Sequence, residues 1–323
     1  MPKIVISTSS FNVGSNAALQ ALAAAGYEIV VNPHGRRVTE AEAAALLRDG
    51  DVVGIIAGTE PLSRAALETA KSLKVISRCG IGTDNVDLDA ARALDIDVLN
   101  TPDAPSAAVA ELTLGLMLSS LRHIAAADRG VRAGEWRPLM GGMLGRRVIG
   151  VVGYGRIGRR VAALAAAFGA RILAYDVRDF EPGPGVERVE LESLLASSDI
   201  VSLHMPSAPH KRPLITAERL AQMKRGAIFV NTARGDLVDE QALEQALSAG
   251  HLAGAALDTY AEEPYTGSLR NLPQVTLTAH MGSYAQETRA TMEEEAARNL
   301  LTALAARGLV APPIGASQAT REN

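Results

Sequence analysis

Short apolar runs recur along the chain, separated by alanine-rich stretches with helical spacing. Lys3–Thr8, Tyr27–Asn32, Val52–Ala57, Lys74–Arg78 and Val98–Asn100 read as strands, and Asn16–Ala25, Thr39–Leu47 and Ser63–Ala70 as helices. Gly26 closes the first helix. Thr39 with Glu42 three residues on forms a capping box, and Ser63 is an N-cap. The strand runs are apolar rather than alternating, as expected for strands buried on both faces. Their β-α-β order implies a parallel sheet covered by helices on both sides.

Thr101-Pro102-Asp103-Ala104-Pro105-Ser106 breaks this pattern, since two prolines end any preceding element. The spacing then predicts one long helix over Ser106–Ala127. Its apolar residues cover nearly the whole circumference, so it is expected in a core or a subunit interface. His123 would lie on its surface. From Val148 the alternation resumes. Strands are predicted at Val148–Val152, Arg171–Tyr175, Asp199–His204, Ala227–Thr232, Leu252–Leu257 and Val275–Thr278. Helices are predicted at Arg159–Phe168, Glu190–Ala196, Thr216–Met223 and Asp239–Ala249. This makes a six-stranded doubly wound sheet from Val148 to His280. Residues 311–323 read as a loose tail.

One segment of this sheet carries a fingerprint. Val148–Val152 runs into Gly153-Tyr154-Gly155-Arg156-Ile157-Gly158, a G-x-G-x-x-G, then a helix, then a strand ending on Asp176. Gly153 permits the sharp turn, Gly155 lets backbone approach a pyrophosphate, and Gly158 lets helix and strand pack closely. The helix N-terminus offers unpaired N–H groups to the phosphates. Asp176, 18 residues beyond Gly158, suits ribose hydroxyls and favours NAD over NADP, although Arg178 nearby softens that choice.

Composition narrows the class without choosing the reaction. A chain of 323 residues accommodates two domains. Its net charge of −4 carries no nucleic-acid footprint, and mean hydropathy is +0.09. Cys79 is the single cysteine, so no intramolecular disulfide can form and a reducing cytoplasm is expected. The first residues enter a strand without a signal-peptide pattern. The longest apolar run, Ala104–Ala127, is interrupted by Glu111, Arg122 and His123, so no membrane span is expected. No metal site is expected.

Ligands of open α/β sheets bind beyond the carboxyl ends of the strands. Arg234, Asp258 and His280 all fall there. A guanidinium can hold a carboxylate or keto oxygen through two hydrogen bonds. An imidazole can protonate a carbonyl oxygen as hydride reaches carbon, and a carboxylate such as Glu263 can stabilise the imidazolium. Taken singly each has an ordinary reading: a surface arginine, a satisfied loop histidine, a solvated glutamate.

Longer motifs decide among these readings. They are Ser77-Arg78-Cys79-Gly80-Ile81-Gly82-Thr83-Asp84-Asn85-Val86-Asp87, Asn100-Thr101-Pro102, Ala110-Glu111-Leu112, the glycine turn, Phe229 to Glu240, Ala255 to Pro264, and His280-Met281-Gly282. In order and spacing the chain resembles the D-isomer-specific 2-hydroxyacid dehydrogenases, in their D-3-phosphoglycerate dehydrogenase-like branch. The resemblance implies an α/β protein of two doubly wound parallel-sheet domains, with a Rossmann cofactor domain (101–284) inserted in a flavodoxin-like substrate domain (1–100 with 285–310). It implies NAD-dependent interconversion of a D-2-hydroxy acid and its 2-keto acid, in a cytoplasmic homodimer. The family triad falls on Arg234, Glu263 and His280. Cofactor contacts fall on Gly153, Gly155, Arg156, Ile157, Gly158, Asp176, Met205, Pro206, Thr232, Ala233, Asp258, Met281, Gly282 and Ser283. Substrate contacts fall on Arg78, Gly80, Ile81, Gly82 and Arg234. Related formate dehydrogenases have glutamine where this chain has Glu263, which argues against that activity.

One departure concerns substrate choice. Phosphoglycerate dehydrogenases often have an Arg-Ser pair near the third strand, where this chain has Gly58-Thr59-Glu60. Loss of that arginine and the negative Glu60 count against a phosphorylated substrate, unless Arg132, Arg137 or Arg78 compensates. A glyoxylate- or hydroxypyruvate-type reductase is the alternative. An NAD(H)-sensing corepressor-like protein and a phosphite-type oxidase also keep the fold and triad.

Overall fold

The computed structural model describes residues 1–207 and 212–311, and packing divides the chain into two compact units, Met1–Pro105 with Ala285–Asn323, and Ser106–Tyr284. Each is an α/β unit built on a wholly parallel sheet.

In the first unit, β1 (Lys3–Ile6), β2 (Glu28–Val31), β3 (Val52–Ala57), β4 (Val75–Arg78) and β5 (Asp97–Asn100) lie in the order β2-β1-β3-β4-β5. This is the flavodoxin-like order. All six residues of β3 are buried, as its uninterrupted apolar run requires. Helices α1 (Ala17–Ala24), α2 (Glu40–Arg48), α3 (Arg64–Glu68) and α4 (Leu88–Ala93) connect the strands. The capping box on α2 is present: the Glu42 amide donates to Thr39 Oγ1 (3.3 Å) and the Thr39 amide to Glu42 Oε2 (2.8 Å). One sheet face packs Val5, Ile55 and Ile76 against Leu47, Leu67 and Ala90. The other packs Ile4, Ile56 and Val75 against Leu22 and against Met292, Ala296, Leu300 and Leu304 of the helix Gln286–Ala306.

In the second unit, two helices, α5 (Ser106–Leu121) and α6 (Ile124–Arg132), precede β6 (Val148–Val152), α7 (Arg156–Ala167), β7 (Arg171–Tyr175) and β8 (Val186–Arg188). Then follow α8 (Leu191–Ser197), β9 (Ile200–Leu203), α9 (Ala217–Gln222), β10 (Ile228–Asn231), α10 (Glu240–Ser248), β11 (Gly254–Leu257) and β12 (Val275–Leu277). The strand order is β12-β11-β10-β9-β6-β7-β8, so the chain changes direction across the sheet between β6 and β9. That switch point opens a crevice at the carboxyl ends of the two strands.

Three predictions need correction. The second sheet has seven strands, because β8 pairs with β7 at the edge. Its three residues, Val-Glu-Arg, include two exposed charges and give no apolar signal. The helix predicted over Ser106–Ala127 is two helices. The chain breaks at His123, which adopts a left-handed conformation (φ 54°), and the Gly142 amide caps α5 by donating to the Leu121 carbonyl (2.9 Å). Apolar residues run on through Ile124–Ala127, so the hydropathy pattern does not show the break. His123 is thus a hinge residue, not a helix-surface one. The helix predicted at Arg159–Phe168 begins at Arg156, directly on the glycine turn. The predicted tail lies, from Pro312 on, outside the described residues.

Among the described residues no helix is long and apolar enough to cross a membrane, and no cluster of His, Cys, Asp or Glu could hold a metal ion.

Candidate active site

The glycine turn between β6 and α7 shows a separate physical reason for each of its three glycines. Gly153 has φ 97°, and a Cβ there would lie 2.6 Å from the His204 carbonyl oxygen. A Cβ on Gly158 would overlap the Gly153 carbonyl, so α7 could not lie against the turn. A Cβ on Gly155 would meet nothing within 4 Å. The space in front of Gly155 is open, and α7 starts there with no side chain capping its first amides. Such a helix end suits a pyrophosphate.

Asp176, just after β7, turns back onto this loop. Its Oδ2 accepts from the Tyr154 amide (2.7 Å) and its Oδ1 from the Arg178 amide (3.0 Å). Each oxygen retains a lone pair for a ribose hydroxyl. Tyr154 fastens the segment after β7: its ring packs on Phe180 at 4.6 Å, its hydroxyl accepts from the Gly183 amide, and the Arg159 guanidinium stacks over it at 4.5 Å. Met205 and Pro206 follow β9 at the opposite lip of the switch point. Met205 Cγ approaches the Gly153 Cβ position to 2.8 Å. His204, beside them, bonds Ser202 Oγ through Nε2 (2.9 Å), while its Nδ1 is enclosed without a partner. Burial pulls this imidazole down to about 3, so it is neutral at physiological pH.

The polar residues at the ends of β10, β11 and β12 are fastened together. His280 Nδ1 lies 2.9 Å from Glu263 Oε2 and 3.0 Å from Oε1. The opposite ring nitrogen, Nε2, is therefore the one that can face a reactant. His280 is a non-glycine residue in a left-handed conformation (φ 48°). Asp258, 1% exposed, holds it there: Oδ1 accepts from the Met281 amide and Thr278 Oγ1, and Oδ2 from the Gly282 amide. Asp258 is thus engaged first with the turn that bears His280. Ser283 lies at the end of this turn, half-buried.

Glu263 sits in the loop after β11, braced at several points. Its Oε1 accepts from the Tyr260 amide (3.2 Å), and the Ala261 amide donates to Glu240 Oε1 (2.8 Å). The Tyr260 hydroxyl reaches the carbonyls of Leu257 (3.0 Å) and Thr278 (2.7 Å), tying the ends of β11 and β12 together two residues before His280. Burial, reinforced by Asp258, pushes the Tyr260 phenol up, so it stays a donor. Burial also raises Glu240, with the charge of Glu262 adding to the effect. Gly235 lies flat against this loop, and a Cβ there would overlap the Tyr260 carbonyl group.

Arg234 leads into Gly235. Asn231 sets its turn, donating from Nδ2 to the Arg234 carbonyl (2.8 Å) and accepting the Ala233 amide on Oδ1 (3.0 Å). Arg234 Nη1 donates to the Ala233 carbonyl (2.7 Å), and Thr232 Oγ1 bonds Thr113 Oγ1 of α5 (2.7 Å). Sequence reasoning gave no role to Tyr260, Glu240, Asn231 or Gly235, although all four stand within the quoted motifs.

A family model described as "D-isomer specific 2-hydroxyacid dehydrogenase, NAD binding domain" matches residues 114–282. The chain belongs to the D-isomer-specific 2-hydroxyacid dehydrogenase family. The match gives the chain the family's NAD-binding domain, with NAD as its cofactor, in the phosphoglycerate dehydrogenase-like branch. It is 40% identical over 254 residues to the hydroxypyruvate reductase of Thermotoga maritima, covering 77% of this chain and 83% of that one. It is 41% identical over 259 residues to the D-3-phosphoglycerate dehydrogenase of Methanocaldococcus jannaschii, covering 78% of this chain and 49% of that one. The chain spans about half the length of the phosphoglycerate dehydrogenases it matches. The crystal structure of the TT0316 protein from Thermus thermophilus superposes with a TM-score of 0.84 at 38% identity, covering 96% of this chain and 98% of that one.

The remaining predicted residues of this dehydrogenase, Arg78, Gly80, Ile81 and Gly82, lie in the first unit, at the carboxyl end of β4. Arg78, 7% exposed, donates from Nη1 to the Cys79 carbonyl (2.6 Å) and from Nε to Asn85 Oδ1 (3.2 Å). Gly80 (φ 156°) lies under the guanidinium, where a Cβ would fall 2.6 Å from Nη1. Asn100 Nδ2 donates to the Ile81 carbonyl (2.6 Å), the Thr101 amide to the Gly80 carbonyl (3.1 Å), and the Gly80 amide to the Arg78 carbonyl (2.9 Å). Glu60 is 1% exposed and turned into its own loop. Of the arginines proposed to compensate, Arg132 pairs with Asp128 on the surface.

Proposed function

We propose that this chain interconverts a small D-2-hydroxy acid and its 2-keto acid with NAD(H), and that Arg234, Glu263 and His280 are its catalytic residues. The observation that carries the reading is the His280–Glu263 pair, 2.9 Å apart, fastened to the sheet whose glycine turn suits a dinucleotide. The second unit is read as the cofactor domain and the first as the substrate domain.

The residues fit the cofactor. The open face at Gly155 and the first amides of α7 would hold the pyrophosphate, Asp176 the adenosine ribose, and Met205, Pro206, Thr232, Ala233 and the Met281–Ser283 turn the rest. Bound NADH supplies a hydride to the keto carbon. The guanidinium of Arg234 orients the carbonyl and carboxylate through parallel N–H donors. His280, its Nδ1 turned to Glu263, delivers a proton from Nε2 to the carbonyl oxygen and takes it back in the reverse direction. Glu263 fixes the ring and its tautomer through the contact to Nδ1. The amides of Ile81 and Gly82, with Arg78, receive the substrate carboxylate.

We further infer a cytoplasmic homodimer. Cys79, buried and unpaired, suits a reducing compartment. Ile124, Val131, Trp136, Met140 and Met143 form a run of exposed apolar side chains on α6 and the segment after it, with Trp136 90% exposed. Exposed apolar side chains grouped in this way fit an interaction surface. Sedimentation of Trp136→Glu beside wild type tests the dimer.

The activity is tested by initial rates of NADH oxidation with glyoxylate, hydroxypyruvate, pyruvate, 2-oxoglutarate and 3-phosphohydroxypyruvate. Turnover of at least one acid that disappears in His280→Ala supports the reading. No turnover with any of them overturns it.

A further inference from the structure

The Gly58-Thr59-Glu60 loop leaves the sheet directly beside the Gly80–Gly82 turn, since β3 and β4 are paired with Ala57 opposite Arg78. Glu60 does not point to solvent. Its Oε1 accepts from the Gly58 amide (3.0 Å) and from the hydroxyl of Ser7, a fully buried residue at the end of the neighbouring β1. Both partners are donors, so the carboxylate is satisfied as an acceptor. Gly58 and Glu60 form one arrangement, because a Cβ on Gly58 would lie 2.8 Å from Glu60 Oε2.

Asn85 connects this loop to Arg78. Its Nδ2 donates to the carbonyls of Glu60 (2.6 Å) and Gly58 (3.3 Å), while its Oδ1 accepts from Arg78 Nε (3.2 Å). One buried anion and one buried cation are thus held in a single hydrogen-bonded array at the carboxyl ends of β1, β3 and β4. A buried ionised group needs such compensation. The other cation on the loop, Arg37, is exposed and donates from Nη2 to the Thr59 carbonyl (2.7 Å), where water and salt screen it.

We propose that Glu60 is a specificity-determining residue, whose buried carboxylate offsets Arg78 and tunes the dehydrogenase to 2-keto acids with one anionic group, against those with a second, such as a phosphate. This rests on the reading that the Gly80–Gly82 turn receives the substrate carboxylate. One negative charge is matched by Arg78 and the turn amides. A second, arriving beside the β3 loop, meets Glu60 in a poorly screened interior.

The test compares hydroxypyruvate with 3-phosphohydroxypyruvate, which differ only by the phosphoryl group, in wild type, Glu60→Gln and Thr59→Arg. Glutamine keeps an acceptor for Gly58 and Ser7 and removes only the charge. Thr59→Arg keeps Glu60 and adds a cation to the loop, so it decides the matter if Glu60→Gln does not fold. Wild type is expected to favour hydroxypyruvate in kcat/KM. Each variant is expected to raise the phosphorylated-to-unphosphorylated ratio at least tenfold, mostly through KM for the phosphorylated acid, with KM for NADH unchanged. A ratio within twofold of wild type in the folded variants overturns the proposal, as does a wild type that already prefers the phosphorylated acid. Turnover of neither acid, nor of any other 2-keto acid, by wild type overturns the underlying reading instead, and this one with it.

Discussion

His280 Nδ1 and the Glu263 carboxylate face each other at 2.9–3.0 Å, with both carboxylate oxygens within reach of the one ring nitrogen. The pair commits Nδ1 and leaves Nε2 for chemistry. His280→Ala is expected to lower kcat about 10²–10⁴-fold, the usual worth of a positioned acid–base group. Glu263→Gln keeps the hydrogen bond and loses the charge, so a smaller loss in kcat is expected. Initial rates across pH check both. Unchanged kcat in His280→Ala would remove that residue from the mechanism.

Two glycines of the same turn should fail differently. Gly155 has open space where a Cβ would go, while Gly158 has the Gly153 carbonyl. Gly155→Ala is expected to leave the melting temperature within a degree or two and to weaken NADH binding at least tenfold. Gly158→Ala is expected to destabilise the protein itself, by about 1–3 kcal/mol for an overpacked contact. Thermal melts and NADH fluorescence titrations separate the two outcomes.

Gly235 links Arg234 to the loop that bears Glu263. A methyl group there overlaps the Tyr260 carbonyl group, and backbone on both sides must move. Gly235→Ala is expected to cost at least tenfold in kcat even in the fraction that folds, because it displaces two of the three proposed catalytic residues at once. Full activity with an unchanged melting temperature would contradict this geometry.

The pH dependence of stability has an identifiable contributor in His204. Burial lowers it from 6.5 to about 3. As pH falls below 6.5 the unfolded chain takes up a proton that the folded protein refuses. Stability from this residue is therefore complete above pH 6.5, declines from there towards about pH 3, and levels off below. Chemical denaturation across this range should show a slope on the acid side that is reduced in His204→Asn. An identical slope in the variant would assign the effect elsewhere.

Much of this architecture is legible in the chain because parallel strands buried on both faces leave continuous apolar runs. Val52–Ala57 and Val148–Val152 are examples, and the glycine turn is marked by the residues that make it. Arg234 and His280 stand out because they follow such runs. The supports of the candidate site are less visible. The Tyr260–Thr278 and Ala261–Glu240 hydrogen bonds join residues 18 and 21 positions apart and arise only when strand ends meet in space. The burial of Glu60 is hidden in the sequence for a related reason. A glutamate in a polar loop reads as solvated, and its burial depends on Ser7 and Gly58 arriving as donors. The break at His123 is a backbone conformation that hydropathy does not encode.

The helix Gln286–Ala306 completes one face of the first sheet, yet the chain makes it about 180 residues after that sheet's last strand. During synthesis Ile4, Ile56 and Val75, covered only by α1, therefore wait partly exposed while the whole second unit emerges and folds. The unit begun first is finished last. Until its closing helix arrives, the nascent chain carries an apolar face open to unwanted association.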